Sequence, residues 1–184
     1  VPLDGPDLLI ERASTPISST YTLRASNMRT VGLRFTASGR GDVVLFTLPL
    51  DGVGEIGSGF LGRDFPHTVV TCGLYNGRLL IGSLVRPTSS GRLVLPDLNF
   101  RFTAGVPQVL TLECGARTTL NRASGDQMAV GMLNADGIVA QRGRDASPAT
   151  VEVAASLVSQ VTAPSVIITI VERGRLVDRK STRL

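Results

Sequence analysis

Along most of this chain apolar residues alternate with polar ones at the two-residue period of a half-buried strand, and seldom at the period of a helix. Over 30–37, Val31, Leu33, Phe35 and Ala37 fall on one face, with Gly32, Arg34 and Thr36 on the other. Tyr21, Leu23 and Ala25 do the same over 20–25, and Leu110, Leu112 and Cys114 over 108–114. The runs 43–48 and 165–172 are mostly apolar, as strands buried on both faces would be.

Gly, Asn, Asp and Pro divide these runs. Asn76-Gly77 separates 68–74 from 78–85 and predicts a tight hairpin. Asn134-Ala-Asp-Gly137 stands between 128–133 and 138–141 and predicts a second one. The segments 92–95 and 99–103 flank Pro96-Asp97, and 38–42 reads as a turn. Five glycines over 51–62 read as a long loop. Val151, Val153, Ala155 and Leu157 alternate, which favours a strand over a helix at 149–160. Three prolines and little periodicity make 1–18 an extended arm. The pattern predicts an all-β protein: an antiparallel jelly-roll-like sandwich of eight to ten strands over 19–172, an arm over 1–18 and a basic tail over 173–184.

Composition narrows the picture further. A chain of 184 residues suits one domain that can bury a core without metals or staples. Its 42% hydrophobic and 18% charged content is that of a globular protein, not a disordered one. No apolar run approaches the roughly 20 residues of a membrane-spanning helix, so no membrane span is expected. All the basic residues but Lys180 are arginine, whose planar fork suits carboxylate and phosphate. Codon bias in a GC-rich genome is the simpler account of that choice. Residues 63–125 hold seven arginines against three acids. In the tail, Arg173, Arg175, Arg179, Lys180 and Arg183 face only Asp178. That tail is a candidate contact for nucleic acid or for another subunit.

Catalytic equipment is scarce. His67 is the only histidine, and it sits in a loop before a strand. No serine occupies a Gly-x-Ser-x-Gly elbow; Gly57-Ser58-Gly59 only resembles one. Gly52-x-Gly54-x-x-Gly57 has dinucleotide-loop spacing without the strand–helix unit that gives the spacing meaning. His67, Cys72 and Cys114 are badly spaced for zinc. The absence of Trp and the 4% aromatic content argue against sugar platforms and base-stacking surfaces. The reading is a non-enzyme without catalytic residues, metal or cofactor. Cys72 and Cys114 both lie in apolar strand-like runs, and either a disulfide or two buried thiols fits them. Arg40-Gly41-Asp42 at a predicted turn is a candidate receptor contact, with Asp42 as metal ligand and Arg40 as the cation. Gly and Asp are also simply what a turn wants.

Two stretches carry a family resemblance. One is Tyr75-Asn-Gly-Arg-Leu-Leu-Ile-Gly-Ser-Leu84 with its continuation Arg92-Leu-Val-Leu-Pro-Asp-Leu-Asn-Phe100. The other is Pro164-Ser-Val-Ile-Ile-Thr-Ile-Val-Glu-Arg-Gly-Arg-Leu176. Together they cover under a quarter of the chain and resemble single jelly-roll coat proteins of small icosahedral viruses, nearest the tymovirus-like ones. The resemblance implies a shell-building sandwich in a virion, and no particular functional residue. Partners would be further copies of the chain, other capsid proteins and viral nucleic acid at the tail, and a Val1 start would fit release from a precursor. The alternative is a receptor-binding or projecting β-sandwich, such as a spike, fibre head or adhesin, that meets a host cell receptor through its hairpin loops.

Overall fold

Alternation becomes register between β3 (Met28–Ala37) and β9 (Gln108–Ala116), the central pair of the first sheet. Leu33 lies opposite Leu110 and Val31 opposite Leu112, all facing the core, while Arg34 and Val109 face outward together. This structure, a computed structural model, describes residues 5–57 and 59–172. The remaining strands, in chain order, are β1 (Leu8–Arg12), β2 (Ser19–Thr22), β4 (Val43–Glu55), β5 (Val69–Asn76), β6 (Leu79–Val85), β7 (Arg92–Leu95), β8 (Phe100–Phe102), β10 (Asp126–Gly131), β11 (Val139–Arg142), β12 (Val151–Val153) and β13 (Ile168–Val171). One helix, α1 (Ala155–Thr162), and a 3-10 turn over Gly62–His67 complete the described elements.

Two mixed sheets pack face to face as an all-β sandwich. The first has the order β12-β1-β3-β9-β5-β6. The second has β11, β4, β10, β13 and β2, with β7 and β8 also on β4. The chain crosses between the sheets at β1/β2, β2/β3, β3/β4, β4/β5, β6/β7, β8/β9, β9/β10, β11/β12 and β12/β13. Between the sheets lie Leu33, Phe35, Leu45, Leu50, Phe65, Leu74, Met128 and Ile168, all fully buried. Phe35 and Phe102 stack across this core with ring centroids 4.6 Å apart.

The structure corrects the sequence-based picture in several places. Residues 8–12 are not part of a free arm, because β1 pairs with β3 and with β12, and Leu8 and Ile10 are fully buried. Leu-Leu-Ile-Glu-Arg over 8–12 does not alternate in sequence, so no period-two signal marks it as a strand. The sheets are not purely antiparallel: β1 with β12 and β13 with β2 are parallel pairs. Each joins strands from opposite ends of the chain, which no hairpin signal can announce. The described residues hold thirteen strands, more than the eight to ten expected.

Three local readings also change. Asn76-Gly77 does turn β5 into β6, with Gly77 at φ 62°. The 134–137 turn, however, does not fold β10 back onto β11. Both strands pair with β4, β10 along its C-terminal half and β11 along its N-terminal half, while β7 and β8 follow each other along its opposite edge. The glycine-rich stretch begins as strand: β4 runs to Glu55, and Gly52 and Gly54 are glycines because Phe65 and the Asp64 backbone press onto them. Finally, β12 ends at Val153 and a helix follows, so the buried positions change from period two to Leu157 and Gln160. Gln160 is fully buried, donates to the Val166 carbonyl and accepts from the Ser165 and Val166 N–H groups, which closes the turn into β13.

Candidate functional site

Asp7 precedes β1 and gathers three distant segments around one carboxylate. It is 4% exposed. Its Oδ2 accepts from Arg142 Nε at 2.9 Å, from the Thr150 N–H at 2.9 Å and from the Thr150 hydroxyl at 3.1 Å. Its Oδ1 lies 3.4 Å from Arg40 Nη2. The backbone joins in, with the Asp7 N–H donating to the Thr150 carbonyl at 2.9 Å. Burial alone would raise this carboxyl, but the bonds from Thr150 and Arg142 and the Arg142 charge outweigh it and hold Asp7 below the ordinary aspartate range. The anionic form is therefore the folded form.

Arg40, Gly41 and Asp42 sit side by side in the turn between β3 and β4, as the sequence suggested. Both charged members are engaged within the chain. Arg40 pairs with Asp7 and donates to the Gly5 carbonyl. Asp42 Oδ1 accepts the Ala104 N–H at 2.9 Å, and Oδ2 accepts from Arg101 at 3.3 Å. The Ala104 N–H, then Arg101, lower the Asp42 carboxyl. The arrangement ties the turn to β8 and to the N-terminal segment, which is the work of a structural turn. A receptor would have to compete for both side chains.

The same three residues line a cavity of about 250 Å³ together with Asp7, Arg142, Arg144 and Asp145. Sequence reasoning did not reach the last four, because Asp7 and Arg142 are 135 positions apart. The pairings of β1 with β12 and β3, and of β11 with β4, bring them together. Arg173, Arg175, Arg179, Lys180 and Arg183 lie outside the described residues.

The remaining candidates lie apart from this cluster. Cys72 and Cys114 stand directly opposite on β5 and β9, with Cα atoms 4.1 Å apart, and form a disulfide within the first sheet. His67 is exposed at the end of its 3-10 turn, and its carbonyl accepts from Asn121 Nδ2. The buried Asp126 carboxylate caps its own loop by accepting from the Asn121 and Arg122 N–H groups. Among the described residues no group of three or more His, Cys, Asp or Glu could hold a metal ion. Nor is any described helix long and apolar enough to cross a membrane.

A different kind of surface lies at the β6 edge of the first sheet. Residues 79–85 carry no charge, and among the described residues β6 bonds to β5 on one side and to no strand on the other. On the outward face, Tyr75, Leu80 and Leu84 close over Gly73, where an added Cβ would lie 2.7 Å from Leu80 Cδ1 and 2.8 Å from Leu84 Cδ2. Leu79 is 68% exposed and Leu84 52%. No protein-family model matches this chain, and no curated protein matches it.

Proposed function

We propose that the protein is a self-assembling structural subunit, a coat-protein-like β-sandwich that builds a viral shell by contact with further copies of itself. The observation that carries this reading is the β6 edge. Sandwich proteins that stay monomeric protect a sheet edge with charge, proline or a covering element, because an open edge of apolar strand pairs with its neighbours. Here seven consecutive uncharged residues end the sheet, with two leucines more than half exposed. Only Arg78 and Arg86 flank them. Such a surface fits a partner of the same kind better than it fits water. The receptor-binding alternative draws less support, since Arg40 and Asp42 are both bonded internally.

The test is assembly of the full chain, followed by light scattering behind size exclusion and by negative-stain microscopy. Shells or discrete capsomers are expected, and Leu84→Asp should leave a folded monomer. A wild-type chain that remains monomeric at all concentrations would refute the reading. The same holds if assemblies persist undiminished in both Leu84→Asp and Leu79→Lys.

A further inference from the structure

We propose that the cavity beside the Arg40–Asp42 turn is a binding site for a phosphate-type oxyanion, gripped by the guanidinium groups of Arg142 and Arg144. Hydrogen-bond capacity is unevenly used around this cavity. Three aspartates and three arginines line the cavity, so its formal charges cancel. Their bonding does not cancel. Asp7 accepts from Thr150 and Arg142 and pairs with Arg40, and Asp42 accepts from Ala104 and Arg101. Asp145 accepts the hydroxyl and the N–H of Ser147 at 2.6 and 3.0 Å. Each carboxylate thus has its charge answered by a donor of the protein itself.

The donors are in surplus. A guanidinium carries five N–H groups in a rigid fork, and Arg142 uses only its Nε, toward Asp7. Arg142 is thereby held in place with both Nη groups unspent. Arg144, two residues on in the same loop, makes no hydrogen bond or ion pair among the described residues. Gly143 between them lies against Asp42 and Arg101 Nη1 and leaves no room for a side chain that would fill the space. A second cavity, of about 420 Å³, shares Arg40 and Arg142 and continues along the β12 edge past Thr150 and Glu152. One anchored fork, Arg142, and a second guanidinium two residues away, both lining a recess of this size, suit the bidentate recognition of a phosphate. The site does not depend on the shell reading. Free phosphate and the phosphodiester of a nucleic-acid strand share the chemistry it recognises.

Calorimetric titration of the full chain at low salt, with inorganic phosphate and separately with a short oligouridylate, tests the proposal. Saturable phosphate binding with Kd on the order of 1 mM is expected. Arg144→Gln should weaken it by about tenfold, the loss of one charge-assisted contact, with the thermal midpoint unchanged because Arg144 holds nothing in the fold. Arg86→Gln, on the far edge of the sheet, should leave binding intact. Tighter binding of the oligonucleotide, weakened by Arg144→Gln and by salt, assigns the site to phosphodiester; equal or weaker binding assigns it to free phosphate. No saturable phosphate binding, or equal losses in Arg144→Gln and Arg86→Gln, would overturn it. Phosphate binding that survives in a variant unable to assemble, such as Leu84→Asp, separates this result from the fate of the shell reading.

Discussion

The first sheet ends in two edges that are finished in opposite ways. At the β12 edge the chain spends ions: Asp7 collects Arg142, Arg40 and Thr150 and binds the N-terminal segment, the 38–42 turn and the 142–150 loop into one unit. At the β6 edge it spends none, and Leu79, Leu84 and Tyr75 stand at the rim of an uncharged strand. Charge placed inside a loop cluster locks a chain to itself and discourages neighbours. Apolar surface at a strand edge leaves the chain incomplete until something covers it. One edge is therefore finished within the molecule, and the other is left without a partner strand among the described residues.

The comparison can be broken at several points. The largest effect is expected near the β6 edge, where the disulfide joins β5 to β9. Replacing both Cys72 and Cys114 by Ser removes a cross-link between residues 42 apart, worth about 3–4 kcal/mol from the constrained unfolded chain. Denaturant unfolding of oxidised, reduced and doubly substituted protein reads it directly, and a change below 1 kcal/mol would deny the bond its structural role.

At the opposite edge, Asp7→Ala should cost about 2–3 kcal/mol by stranding Arg142 and the Thr150 N–H. Solvent around Arg142 keeps the figure below that of a fully buried pair. The pH dependence has a definite sign. Because the folded protein holds the Asp7 carboxyl below its ordinary value, the stabilisation is complete above about pH 4 and is lost as the pH falls through the lower folded value. Acid unfolding of Asp7→Asn should accordingly show a flatter profile below pH 4 than the wild type. A profile parallel to that of the wild type would show that Asp7 is not the group that matters.

Leu84→Asp sharpens the contrast from the other side. It should abolish association yet change monomer stability by no more than about 0.5 kcal/mol, because Leu84 faces outward. A large stability loss instead would mean that Leu84 belongs to the core and not to an interface. The smallest effect is expected for Asp42→Asn. Its carboxylate is at the surface and holds only the Ala104 N–H and Arg101, so the thermal midpoint should fall measurably less than for Asp7→Ala. A fall as large as that for Asp7→Ala would make the turn, rather than Asp7, the centre of the cluster.

Much of this architecture is legible from period and punctuation. The outward and inward faces of β3 and β9, the Asn76-Gly77 hairpin and the sandwich class follow from alternation and turn chemistry, which are local properties. The candidate site is legible only in part. Arg40, Gly41 and Asp42 attract attention as a tripeptide, but their chemistry is set by Asp7, Ala104, Arg101 and Arg142, which no local signal connects to them. Gly52 and Gly54 mislead in an instructive way. Glycine marks a loop when the backbone must turn, and marks a strand when another element must come close; the sequence is the same in both cases until Phe65 is seen to lie there.

By itself the sequence determined which residues of β3 and β9 face inward, where the Asn76-Gly77 turn falls, and that every Lys or Arg but Lys180 is an arginine. Those are matters of composition and of spacing within a few residues. The tertiary structure decided that β1 is a core strand and not an arm, that two strand pairs are parallel, that Cys72 meets Cys114, and that Asp7 binds Arg142 from 135 positions away. Pairings between opposite ends of a chain are chosen by the total apolar area and hydrogen bonding they complete, which is a property of the whole sandwich and is not written in any one segment.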